Sequence, residues 1–139
     1  MNPFENTLKQ LKSHFDSGLT RPLSWRLNQL QQLQRFLTEN EKSLLQALKS
    51  DLNKHPSEAR LTELQFLQSD IKQTIKALAK WSKPRKVSNP LLAWPAKSQL
   101  VPEPLGAVLI LGAWNYPLQL LLVPLIAAIA AGNCAVIKP

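Results

Sequence analysis

Few residues in this chain of 139 are equipped for chemistry. Asn115, in the loop Gly112-Ala-Trp-Asn-Tyr-Pro117, offers a side-chain amide with two N–H donors on a short arm. Such a group suits an oxygen that gains negative charge as a tetrahedral centre forms. By type alone, a loop asparagine more often shapes its own turn, and Trp114 and Tyr116 more often pack than react. Cys134 stands in Asn133-Cys-Ala-Val-Ile137 with no base or cation beside it, the setting of a buried inert thiol rather than a nucleophile. One cysteine cannot form an internal disulfide, and His14 and His55 have no cysteines near them to complete a zinc site. No metal centre is expected.

The elements that position these residues follow from an unusual stretch: no charged residue stands between Glu103 and Lys138. A bilayer span needs about 20 apolar residues. Here, however, Gly112, Asn115, Pro117, Gln119, Pro124, Gly132 and Asn133 interrupt the run and would leave polar groups unpaired in hydrocarbon. No transmembrane segment is therefore expected. A buried βαβ unit accounts for the run better, with a strand over 105–111, a loop over 112–117, a helix without a polar face over 118–131 and a second strand over 134–137. The loop lies at the carboxyl end of the first strand, where open α/β sheets place ligands. Such a unit needs cover on both faces, and the sequence stops at Lys138-Pro139, so a truncated chain is expected.

Upstream, residues 1–86 read as consecutive helices, with leucines at three- and four-residue spacing and a single glycine, Gly18, dividing the first two. The second helix takes Thr20 as N-cap and Pro22 in its first turn, then sets Leu23, Leu27, Leu30, Leu33 and Leu37 on one face. Thr38 or Asn40 caps a third carrying Leu44, Leu45, Leu48 and Leu52. A break at 53–56 precedes a fourth opening at Pro56 or Ser57. A fifth runs from about Ser69 to Trp81 with Ile71, Ile75 and Leu78 inward, and Pro84 closes it. Short capped segments favour an irregular bundle over a coiled coil or a repeat array. Residues 87–104 are proline-rich and extended, with a short strand near 97–101 after a turn at Pro95, which suggests a hairpin-like arm.

The formal charge of +8 is concentrated between Lys72 and Lys97. Lys72, Lys76, Lys80, Lys83, Arg85 and Lys86 make a stripe that could meet phosphates, so a small basic protein binding nucleic acid or an anionic membrane surface is the alternative reading. A solvated face opposite Ile71, Ile75 and Leu78 is the simpler one. The charged N-terminus has no apolar signal region, and with the lone cysteine it points to the cytoplasm.

Two blocks change the weight of these observations. Glu103-Pro-Leu-Gly-Ala-Val-Leu-Ile-Leu-Gly-Ala-Trp-Asn-Tyr-Pro117 and Ala127-Ala-Ile-Ala-Ala-Gly-Asn-Cys-Ala-Val-Ile-Lys-Pro139 closely resemble the first βαβ of the cofactor domain of aldehyde dehydrogenases. Phe15-Asp-Ser-Gly-Leu-Thr-Arg-Pro-Leu-Ser-Trp-Arg26, continuing to Leu30, resembles the class 3 branch, with weaker support from Trp81-Ser-Lys-Pro-Arg-Lys86. The resemblance implies an α/β fold in which N-terminal helices (1–86) and an extended arm (87–104) precede the start of a Rossmann-like dinucleotide-binding domain (105–139), here incomplete. It implies oxidation of a small-molecule aldehyde to a carboxylic acid with NAD or NADP, through a thiohemiacetal and a thioester on a cysteine, with a glutamate activating water.

By the same resemblance Asn115 is the side-chain donor to the carbonyl oxygen, and Tyr116 and Leu120 line the substrate passage. Lys138 meets the adenosine ribose hydroxyls, and Ala113 and Trp114 lie beside the nicotinamide. Many relatives carry proline where Ala113 stands. A homodimer is implied for the intact enzyme and a nucleic-acid partner is not. The four glycines, Gly18, Gly106, Gly112 and Gly132, cannot assemble a glycine-rich phosphate turn. The family's catalytic cysteine and base glutamate come from beyond residue 139, so these residues alone are expected to be inactive.

Overall fold

The computed structural model describes residues 3–139. Helices α1 (Pro3–Asp16), α2 (Leu23–Glu39), α3 (Glu41–Leu52) and the short α4 (Pro56–Ala59) come first. A π-helical turn (Arg60–Gln65) leads directly into α5 (Phe66–Trp81). Then come β1 (Arg85–Val87), a 3₁₀ turn (Leu91–Ala93), β2 (Ser98–Leu100), β3 (Ala107–Leu111), α6 (Pro117–Ala131) and β4 (Cys134–Lys138).

The architecture turns on α6, whose sequence has almost no polar face because it is buried on two sides. One side joins Leu122, Ile126 and Ala130 to Leu30 and Leu37 of α2, Leu64 of the π turn, and Leu67, Ile71 and Leu78 of α5. The other sets Leu121 and Ala128 against Ile110 of β3. Each large apolar side chain buried in this way contributes about 1.5–3 kcal/mol. Pro124, which cannot donate to the carbonyl of Leu120, lies on the exposed side of α6, where water can satisfy that oxygen. Lys72, Lys76 and Lys80 are exposed on α5 while Ile71 and Leu78 are buried, as expected for a solvated face.

Strands β3 and β4 are parallel, in register from Ala107↔Cys134 to Leu111↔Lys138, with α6 as their crossover. The amino-terminal end of the pair is locked by two hydrogen bonds. Gly106 N–H donates to the buried Asn133 Oδ1 (2.9 Å) and Cys134 N–H donates to Gly106 O (2.9 Å). Helix α1 packs across both strands. β1 and β2 form a separate antiparallel hairpin, Arg85 opposite Leu100, with a cis Trp94–Pro95 bond in its connection. No helix among the described residues is long and apolar enough to cross a membrane.

Three local expectations need correction. Thr20 is not an N-cap: α2 starts at Leu23 after Pro22, and the buried Thr20 Oγ1 donates to Gly132 O across the molecule at 2.7 Å. Asn40 precedes α3 but does not cap it; its Nδ2 donates back to Phe36 O at 2.9 Å. The fourth and fifth helices are one continuous helical run. No breaker separates Ala59 from Phe66, and Leu64 and Leu67 both reach the core, so the chain accommodates the junction with a wide turn instead of a loop.

Candidate functional site

At the carboxyl end of β3 the backbone must pass very close to its neighbour. A Cβ on Gly112 would lie 3.2 Å from Leu121 Cδ1, 3.3 Å from Pro139 Cα and 3.4 Å from Lys138 O. With no side chain, Gly112 N–H donates to Lys138 O at 2.7 Å, which ties the start of the loop to the end of β4. The loop then turns into α6 at Pro117, which suits the first helical position because its missing N–H needs no partner there.

Tyr116 occupies the N-cap position of α6 and supplies no capping side chain. The cap comes instead from Glu63, whose Oε2 accepts from Leu118 N–H (2.9 Å) and Gln119 N–H (3.4 Å). Its Oε1 accepts from Lys54 Nζ at 2.6 Å. Glu63 is fully buried (0 % exposed), on the π turn. The Lys54 ammonium is also 3.7 Å from the centroid of the Tyr116 ring, within the range of a cation–π contact. Sequence reasoning missed both residues. The available signal was an acid placed four residues after Ala59 and four before Leu67, on a helical face that is otherwise apolar.

The sequence-derived candidates fall as follows. Asn115 is exposed, and its amide makes no hydrogen bond among the described residues. Ala113 and Trp114 are exposed beside it, Tyr116 is half-buried, and Leu120 is exposed one turn into α6. Lys138 is exposed at the end of β4, paired with Leu111. All six therefore gather at the carboxyl edge of the parallel pair.

Cys134 is buried at the opposite end of β4, and desolvation pushes its thiol above the ordinary value. A protonated, enclosed thiol is a poor nucleophile. A cavity of about 620 Å³ lies elsewhere, between α5 and the C-terminal half of α6. Arg26 borders it, with Nη1 donating to Ala130 O (2.8 Å) and Ser82 Oγ (3.2 Å). The chemistry-bearing residues are not there. Among the described residues no group of three His, Cys, Asp or Glu side chains could hold a metal ion.

Comparison with known proteins gives a consistent picture. The model of the aldehyde dehydrogenase family matches residues 4–139. Aldehyde dehydrogenase family 3 member B1 of Bos taurus is 46% identical over 139 residues, which is 100% of this chain and 30% of that protein. The structure of the substrate-bound state of AldH from Staphylococcus aureus superimposes with a TM-score of 0.97 at 42% identity, covering 100% of this chain and 30% of that one. Betaine aldehyde dehydrogenase from Staphylococcus aureus, in complex with NAD+, shares the fold at a TM-score of 0.70 and 22% identity, over 97% of this chain and 26% of that one. The chain thus spans about 30% of the length of the curated relative.

Proposed function

The chain belongs to the aldehyde dehydrogenase family, and on that footing we propose that it is the N-terminal part of a class 3-type enzyme that oxidises aldehydes to carboxylic acids with NAD or NADP. The observation that carries this reading is the outward-facing Asn115 amide, held at the carboxyl end of β3 in a loop tied at one end to β4 and at the other to Glu63. A carbonyl oxygen placed against that amide meets a donor whose bond strengthens as the oxygen gains charge, which lowers the barrier rather than merely binding the substrate. Tyr116 and Leu120, following on the same edge, line the approach of the aldehyde's carbon chain.

The residues present fit a dinucleotide. The close approach at Gly112 brings the backbone of Ala113 and Trp114 to the same edge as Lys138, whose exposed ammonium has three N–H donors for sugar hydroxyls. When bound, the nicotinamide supplies the hydride acceptor for the oxidation. The strand–helix–strand unit β3–α6–β4 serves as the start of a Rossmann-like sheet, and the intact enzyme works as a homodimer in the cytoplasm. Since Cys134 is enclosed and protonated, the nucleophile and the base belong to other parts of the enzyme, and these 139 residues alone do not turn over aldehyde.

The test replaces the matching segment of the Staphylococcus aureus AldH with residues 1–139 and follows aldehyde-dependent reduction of NAD and NADP. The grafted enzyme should oxidise aldehyde while the isolated chain stays at the blank rate. A graft that folds and binds the cofactor but leaves aldehyde untouched would defeat the proposal.

A further inference from the structure

Helix α6 begins with no local cap, although an aspartate or serine at position 116 would meet its free N–H groups with one short side chain. The chain uses a fully buried carboxylate from another layer instead. Glu63 reaches Leu118 N–H and Gln119 N–H, and its second oxygen holds Lys54, whose side chain is only 10% exposed. Removing two charges from water to cap one helix is a poor device for stability, since a buried ion pair gains little over apolar packing. The arrangement does more than cap. The same ammonium lies on the ring of Tyr116, one residue after Asn115, and the π turn is what places adjacent Glu63 and Leu64 both in the interior. One charge pair therefore fixes the helix after the loop and the aromatic ring that ends it.

We propose that Glu63 and Lys54 are positioning residues for the aldehyde-oxidising site: the carboxylate sets the first turn of α6, the ammonium sets the Tyr116 ring, and together they set the direction in which the Asn115 amide leaves the loop. The inference rests on the function proposed above but is carried by different residues. Neither residue touches the substrate, and both act through the loop. A loop held on only one side, by the Gly112 N–H bond to Lys138 O, would let the Asn115 donor drift from the carbonyl oxygen. Misplacement of a donor by about 1 Å can cost up to ~100-fold in turnover.

Tyr116 is the single tyrosine of the chain, so its ring gives one NMR spin system that reports on the clamp directly. In the 139-residue chain, Lys54→Met should shift the Tyr116 ring resonances and the Asn115 side-chain amide peak while Leu118 and Gln119 N–H stay protected from exchange. Glu63→Gln should in addition speed exchange at those two amides. In the grafted enzyme both variants should lower kcat by about 10-fold or more with cofactor KM unchanged, and Lys54→Arg should restore most of it. Because Glu63→Gln risks the fold, Lys54→Met carries the decision. Unmoved Tyr116 and Asn115 signals in Lys54→Met, or an unchanged kcat in a graft that Asn115→Ala disables, would overturn the positioning role and leave the function standing. Shifted signals in a graft indifferent to Asn115→Ala would overturn the function and leave the clamp standing as a structural cap only.

Discussion

Replacing Gly132 by alanine probes the joint that fixes the far end of α6 and hence the origin of β4. Gly132 caps α6 in the left-handed region (φ 87°, ψ 22°), donating its N–H to Ala128 O and Ile129 O, while Asn133 N–H returns to Ala128 O at 2.9 Å. A side chain in that conformation costs about 1–2 kcal/mol. The added Cβ would also stand 3.1 Å from Thr20 O, so the Thr20 backbone must move. That movement strains the 2.7 Å bond from Thr20 Oγ1 to Gly132 O, and a weakened buried hydrogen bond adds about 1 kcal/mol. The total is roughly 2–3 kcal/mol, which for a chain of this length corresponds to a fall in Tm of about 8–12 °C. Urea unfolding followed by circular dichroism measures it. Gly132→Asn, which tolerates the left-handed region but keeps the Thr20 contact, should fall between wild type and alanine. An alanine variant within about 0.5 kcal/mol of wild type would show that neither the backbone conformation nor the contact matters, and would refute this account of the joint.

Two further outcomes follow from titrating groups. Burial raises the Asp70 carboxyl above its ordinary value, so its ionised form opposes folding: the group's contribution is full below the unfolded pKa and is lost as pH rises through the folded one. Asp70→Asn should therefore raise Tm at neutral pH, with the advantage vanishing below about pH 4; an advantage that grows toward acid would contradict the sign. Cys134 should react with iodoacetamide much more slowly than free cysteine until denaturant is added, and Cys134→Ala should leave turnover of the grafted enzyme unchanged. Rapid alkylation of the native chain or loss of turnover would restore Cys134 as a reactive group.

The elements around the loop were legible in the sequence because their signals are local. An uncharged apolar run punctuated by Gly112, Pro117 and Gly132 has one economical folding as strand, helix and strand, and the structure places β3, α6 and β4 within two residues of the expected limits. The hairpin-like arm was legible in part: the expected short strand near 97–101 is β2, but its antiparallel partner Arg85–Val87 begins inside the stretch 1–86 read as helical, because Pro84 ends the helical segment and the chain turns extended at once. What was not legible depends on partners distant in the chain. A threonine two residues before Pro22 has the pattern of an N-cap, and nothing nearby in sequence reveals that its hydroxyl is used by Gly132. The merging of the fourth and fifth helices escaped notice because a π turn keeps the helical composition and only shifts its phase. Glu63 left only the faint signal of an acid on an apolar helical face, and Lys54, in the loop between α3 and α4, left none; charged residues are ordinarily solvated, and only the position of α6 explains a carboxylate with no exposed surface.

On the function proposed above, Asn115 acts on the reacting oxygen and Lys138 on the cofactor, both at the carboxyl edge of the parallel strand pair. Steady-state kinetics of the grafted enzyme with each residue changed to alanine measure this directly. Asn115→Ala should lower kcat by about 100-fold or more with cofactor KM nearly intact, because the lost bond strengthens only as charge develops. Lys138→Ala should raise cofactor KM with a smaller effect on kcat. An Asn115→Ala enzyme that turns over normally but binds the cofactor poorly would contradict the claim and reduce Asn115 to a loop-shaping residue.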